Sequence, residues 1–157
     1  MLFNSYAFLF VFLPLALIGY ALAVRIGHKV SLVWLAICSL AFYGYWNPRY
    51  LVLIAASICF NFVAGHMIGS ATDALRKQVI FVIGVAANIL LLGFFKYLGP
   101  SANFLSSQGI IERGIHLDII LPLGISFFTF TQIGYLVDQR DGIGKDLGFV
   151  PYTVFVT

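Results

Sequence analysis

Charge is what this sequence has least of. Lys and Arg number 9 and Asp and Glu 6 in 157 residues, so charged side chains make up 10% of the chain, against about 25% in an ordinary soluble domain. That is too little to coat a water-facing exterior when 61% of the residues are hydrophobic and the mean hydropathy is +1.00. The apolar surface left over must meet lipid or other membrane helices. The net charge of +3 comes without any run of Lys or Arg, which excludes a nucleic-acid-binding footprint. Cysteine is scarce too. Cys38 and Cys59 lie inside apolar runs with no CxxC or Cys/His spacing, so they read as small core hydrophobes and no metal site is expected. A Walker loop, a GxSxG turn and an HExxH helix are all missing, and no spacing offers a nucleophile, a base and an orienting group together. Without a repeat, a linker or a low-complexity stretch, residues 1–157 read as a single membrane domain.

What the sequence does have is long apolar runs. Crossing about 30 Å of hydrocarbon takes roughly 20 helical residues. Runs of about that length, closed by charge, Pro or Gly, occupy 6–24, 30–46, 50–68, 79–95 and 119–137, and a truncated sixth apolar segment covers 149–156. Backbone polar groups facing lipid must be bonded within the chain, which leaves helices or a closed barrel. Barrel strands alternate polar and apolar residues, whereas the stretches 51–56 and 89–95 are apolar on every face. The expected fold is therefore all-α, a polytopic transmembrane helical bundle of about five spans plus the truncated segment.

Basic residues in the short connections set the orientation. Arg25, Lys29, Arg76, Lys77, Arg140 and Lys145 fall on one side, and Arg49, Lys96 and Arg113 on the other. This puts the first group in the cytoplasm and the amino terminus outside. Ala21-Leu22-Ala23 resembles a signal-peptide cleavage site, but the preceding apolar run is too long and no basic residue opens it, so the first span is expected to be retained. The connection 99–118 mixes Ser101, Asn103 and Gln108 with Phe104, Leu105 and Ile110, which suits a segment lying at the outer interface.

Ionisable groups inside a bilayer are costly and are functional candidates by default. His66, about a turn from the inner end of the third run, is the only one within a span, and an interfacial or packing role competes with acid/base or ligand work. His28 and His116 lie in connections. Uncharged polar residues are better placed. Ser57, Asn61, Gly65 and Gly69 recur every four residues on the third span, and Gly84 and Asn88 do so on the fourth, as close helix packing with interhelical hydrogen bonds or contact with a polar substrate requires. On the fifth, Ser126, Thr129 and Gln132 are spaced by three and face roughly one way, as a channel lining would, or else bond back to their own helix. Channel-lining candidates are thus Ser126, Thr129, Gln132, Asn61 and Asn88. No catalytic residue is assigned.

Several strings are similar to the membrane-bound O-acyltransferase family, especially its bacterial branch of alginate O-acetylation and teichoic-acid D-alanyl transfer proteins. They are Met1-Leu2-Phe3-Asn4-Ser5 with Phe12-Leu13-Pro14, then Phe42-Tyr43-Gly44-Tyr45-Trp46-Asn47-Pro48-Arg49-Tyr50 leading into Asn61-Phe62, then Phe95-Lys96-Tyr97. Most specific is Leu121-Pro122-Leu123-Gly124-Ile125-Ser126-Phe127-Phe128-Thr129-Phe130, continuing to Tyr135-Leu136-Val137-Asp138. The resemblance covers essentially the whole chain and matches the amino-terminal portion of the family. It implies transfer of an acyl group, commonly acetyl, from a cytoplasmic thioester such as acetyl-CoA or an acyl carrier protein towards a cell-envelope polysaccharide. It also implies a periplasmic or secreted transfer partner, residence in the inner (cytoplasmic) membrane, no bound cofactor, and a catalytic histidine beyond Thr157, so that this stretch alone is expected to be inactive. A non-enzymatic membrane module, part of a transporter or an assembly partner, is the competing reading, favoured by the lack of catalytic residues and by the glycine stripes.

Overall fold

The computed structural model describes residues 5–98, 122, 124–143 and 147–157. The expected interfacial connection and the opening residues of the fifth run, 119–121, lie outside these, as does His116. All regular structure among the described residues is helical. We label the helices α1 (Leu13–Ile26), α2 (His28–Trp46), α3 (Pro48–Ser70), α4 (Ala74–Gly93), α5 (Ile125–Asp141) and α6 (Phe149–Val156). Two π-helical turns, Phe8–Phe12 and Phe94–Leu98, run on from α1 and α4.

Helix boundaries follow from local chemistry. Pro14 has no N–H to give and its ring crowds the preceding turn; the widened turn Phe8–Phe12, where Leu13 N–H donates to the Phe8 carbonyl, accommodates it just upstream. A single residue, Gly27, both ends α1, donating to the Ala23 carbonyl, and opens α2, accepting from Val30 and Ser31. Asn47 does the same between α2 and α3, and its Oδ1 accepts from Arg49 N–H while Pro48 takes the first helical position, where no donor is needed. Asp73 caps α4 by accepting from Leu75 N–H at 3.2 Å. Gly142 ends α5 with φ 74°, a left-handed turn that lets Ile143 N–H reach back to the Asp138 carbonyl.

Among the described residues, three helices are long and apolar enough to cross a membrane: Phe8–Ile26, Pro48–Ser70 and Ala74–Tyr97. α2 is of comparable length, 19 residues, and carries His28 and Lys29 in its first turn. α5 is 17 residues long and carries Thr129, Thr131, Gln132, Asp138, Gln139, Arg140 and Asp141.

The chain divides into two compact units, Met1–Val63 with Lys145–Thr157, and Ala64–Gly144. In the first, α1 and α2 form an antiparallel hairpin. Phe42 packs edge-on against Phe8 and tilted against Phe12, with centroids 5.4 and 5.7 Å apart, and nearer the turn the Trp34 indole fills the space beside Gly19 and donates its N–H to the Ala16 carbonyl at 2.9 Å. Phe62 of α3 meets Phe149 and Tyr152 of α6 at 5.2 and 5.6 Å.

In the second unit two contacts fix the direction of α5 against α4. Arg140 stacks over the Phe81 ring at 4.5 Å and Leu136 sits against Gly84, so positions ascend on one helix as they descend on the other. The last turns of α3 run parallel to α5, because Gly65 meets Tyr135 and Gly69 meets Gln139. Each of these three glycines is a place where a side chain from α5 occupies the volume that a β-carbon would need, so the small residues set how closely the helices approach.

Candidate functional site

The buried face of α5 consists of Ile125, Phe128, Thr129, Gln132, Tyr135, Leu136 and Gln139, steps of three and four that trace one side of a helix. Polar groups dominate its centre. Thr129 is 1% exposed and Gln132 0%, and the Thr129 hydroxyl has no hydrogen-bond partner among the described residues. From α4 comes Asn88, 2% exposed, whose Nδ2 donates to the Gly84 carbonyl at 2.8 Å. The antiparallel register that pairs Gly84 with Leu136 puts Asn88 level with Gln132, one turn along each helix. Two carboxamides and a hydroxyl thus share one stretch of the α4–α5 packing.

Asn61 belongs to the other unit, buried on α3 with its Nδ2 donating to the Ser57 carbonyl at 3.0 Å. Ser126 is exposed and does not share the face of Thr129 and Gln132. A spacing of three falls about 60° short of a full turn at each step, so over two steps the third residue has drifted by about 120°. Tyr135 and Gln139 were not among the sequence candidates, yet both are buried on this face against Gly65 and Gly69. Continuing from Gln132 by three and by seven residues reaches both, which is the signal that identifies them.

These groups are neutral. They can donate to a carbonyl or accept from a hydroxyl, but none takes up a proton near neutral pH. Of the histidines described, His28 and His66 are exposed. Cys38 and Cys59 are free thiols, and no cluster of metal-ligating side chains exists among the described residues. A cleft of about 120 Å³ at the α3–α4 turn is lined by Met67, Ser70, Ala71, Thr72, Asp73 and Arg76. It falls below the roughly 300 Å³ at which ligand pockets begin, and its Ser70 hydroxyl and Asp73 carboxylate are already engaged with backbone.

No protein-family model matches the chain, and no solved structure does. Curated proteins do. A peptidoglycan O-acetyltransferase of Helicobacter pylori is 39% identical over 142 residues, 88% of this chain and 26% of the relative. Probable alginate O-acetylases of Pseudomonas aeruginosa and Pseudomonas putida are 36% and 33% identical over 146 residues, 90% of this chain and 28% and 30% of the relatives. The chain therefore spans between a quarter and a third of the length of the relatives it matches. At 33–39% identity sustained over about nine-tenths of its residues, the chain matches part of the alginate O-acetylases and a peptidoglycan O-acetyltransferase, which are members of the membrane-bound O-acyltransferase family.

Proposed function

We propose that the polypeptide to which this chain belongs moves an acetyl group from a cytoplasmic thioester, acetyl-CoA or an acyl carrier protein, to hydroxyls of a cell-envelope polysaccharide. The observation that carries this reading is the 33–39% identity to proteins named as O-acetyltransferases of peptidoglycan and alginate. In the reaction an acceptor hydroxyl oxygen attacks the thioester carbonyl, a C–O bond forms as the C–S bond breaks, and the hydroxyl proton passes through a general base to the departing thiolate. The neutral residues of this chain do not serve as that base, and a histidine elsewhere in the longer polypeptide takes the part. Thr129, Gln132 and Asn88 line the route along which the acyl group or its acceptor passes, holding carbonyl and hydroxyl groups by hydrogen bonds. A periplasmic or secreted partner completes delivery to the polymer.

In the same reading the chain is one membrane domain of five spans in the inner membrane with its amino terminus outside. The directions of the helices support it: α1 opposes α2, α4 opposes α5, and the end of α3 runs with α5, as successive crossings require. The test is acyl transfer by the full-length polypeptide in proteoliposomes, with radiolabelled acetyl-CoA on the face bearing Arg76 and, on the other, a hydroxyl-rich polysaccharide with a periplasmic extract that supplies the partner. Label recovered as a hydroxylamine-labile ester on the polysaccharide supports the assignment; a well-folded preparation that leaves the polymer unlabelled with either thioester donor refutes it.

A further inference from the structure

The seam between α4 and α5 ends in cations. Lys77, Phe81, Gly84 and Asn88 follow one another at helical spacing along the face that α4 turns to α5, and Lys77 is half-buried there, one turn beyond Phe81. From α5 the Arg140 guanidinium lies over the Phe81 ring at 4.5 Å, and its Nε donates to Asp141 Oδ1 at 2.9 Å. That single bond leaves both terminal nitrogens of the fork without a partner among the described residues, and Lys77 makes no ion pair among them either. The acidic groups nearby are committed elsewhere. Asp141 offsets Arg140, Asp138 stands about 160° round α5 from it on the exposed arc, and Asp73 caps α4 in the cleft that Arg76 shares. The positive charge of Lys77 is left over, beside the open edge of a guanidinium.

Apolar surface leads away from these cations. Phe81 and Val85 on α4, and Ile133 and Val137 on α5, are half-buried pairs four residues apart that flank one shallow furrow, on the side of the seam away from α3, and Arg140 over Phe81 closes its end. Next to the furrow α4 exposes Val82, Ala86 and Ile89, a surface that lipid tails accept. A guanidinium fork matches phosphate oxygens, and basic pockets between membrane helices take acidic head groups. We infer that this end of the seam binds one anionic phospholipid. Its phosphate oxygens accept from the terminal nitrogens of Arg140 and from Lys77 Nζ, and a tail lies along the furrow between Val85 and Ile133. The single uncompensated charge suits a monoanionic phosphodiester. A soluble phosphate would satisfy the cations and leave the furrow unused, which is why the ligand is a lipid. Bridging Lys77 of α4 and Arg140 of α5, it ties the two helices together at the membrane surface. The inference rests on the bilayer crossing of α4 and not on the acyl-transfer reading.

The test uses the full-length polypeptide delipidated in a non-ionic detergent, with bound lipid counted by native mass spectrometry during titration with phosphatidylglycerol or with phosphatidylcholine of the same tails. Phosphatidylglycerol is expected to bind about tenfold or more tightly than phosphatidylcholine, and Lys77→Gln and Arg140→Gln each to weaken it about fivefold, the worth of one cation beside an acidic head group. Arg76→Gln, at the same end of α4 and outside the seam, is the control and should leave the affinity unchanged. Equal binding of the two lipids, or equal weakening by Arg76→Gln, would mean diffuse surface charge and overturn the inference. Glycerol phosphate, the head group without tails, is expected not to displace the lipid; displacement would show a site for soluble phosphates and overturn the lipid assignment. Arg140→Gln also removes the stack on Phe81, so Lys77→Gln, which leaves that stack in place, carries the test if the arginine variant does not fold. No thioester or acceptor enters the assay. Failure here therefore leaves the acyl-transfer reading intact, and failure of acyl transfer leaves this site standing.

Discussion

Gly84 of α4 and Leu136 of α5 touch so closely that a methyl group at Gly84 would stand 2.8 Å from Leu136 Cδ1. Leu136 is fully buried, so its side chain has nowhere to retreat without moving a helix. We predict that Gly84→Ala destabilises the full-length protein by about 1–3 kcal/mol, the usual cost of overpacking, and that Gly84→Leu separates α4 from α5 altogether. Thermal unfolding in detergent reads the loss. Pairing Gly84→Ala with Leu136→Ala should recover part of it, since residues in contact are not additive.

Gly65 faces a stiffer neighbour. The edge of the Tyr135 ring occupies the place of its β-carbon, and a buried ring cannot fold aside as the tip of a leucine can. Gly65→Ala is therefore expected to cost more than Gly84→Ala, and Tyr135→Leu in the same polypeptide to relieve part of that cost. An equal or smaller cost at Gly65 would contradict the close approach of α3 to α5.

The α1–α2 hairpin has its own latch. The Trp34 indole covers Gly19 and donates to the Ala16 carbonyl at 2.9 Å, one helix reaching the backbone of the next. Trp34→Phe removes the donor while keeping an aromatic ring, and a loss of about 0.6 kcal/mol is expected, the average for an interhelical hydrogen bond in a bilayer. Trp34→Ala also empties the space over Gly19 and should cost more than Trp34→Phe. Both are read by denaturant titration in mixed micelles.

Gln132 tests the route rather than the fold. Replacing it by Leu keeps the volume and removes the carboxamide level with Asn88. If these groups hold the acyl donor or acceptor, Gln132→Leu lowers acetyl transfer by about tenfold or more, equivalent to about 1.4 kcal/mol in the barrier, with little change in thermal stability. Loss of stability in parallel with activity would instead make Gln132 a packing residue.

Much of this was legible from spacing alone. The apolar runs appear as α1 to α4 because a lipid-facing helix needs no polar periodicity to declare itself, and the four-residue recurrence of Gly65 and Gly69 announced the surface that receives Tyr135 and Gln139. The face of α5 was only partly legible. Thr129 and Gln132 share the buried face, whereas Ser126 lies on the exposed arc, because steps of three drift around a helix whose period is 3.6. The widened turns at Phe8–Phe12 and Phe94–Leu98 left no mark in the pattern beyond Pro14, since hydropathy reports what a residue prefers to touch and not how its backbone is wound. The stacking of Arg140 on Phe81 joins residues far apart in the chain, and no local spacing brings them together.

The claim underlying the rest is that these helices cross a bilayer in alternating directions, and labelling of single cysteines by a membrane-impermeant thiol reagent in sealed, oriented vesicles tests it most directly. Cysteines replacing Lys77 at the start of α4 and Gly142 at the end of α5 should react from the cytoplasmic side only, and one replacing Lys96 beyond α4 from the opposite side only. Reaction of positions 77 and 96 from the same side would mean that α4 does not span the membrane, and would contradict the account.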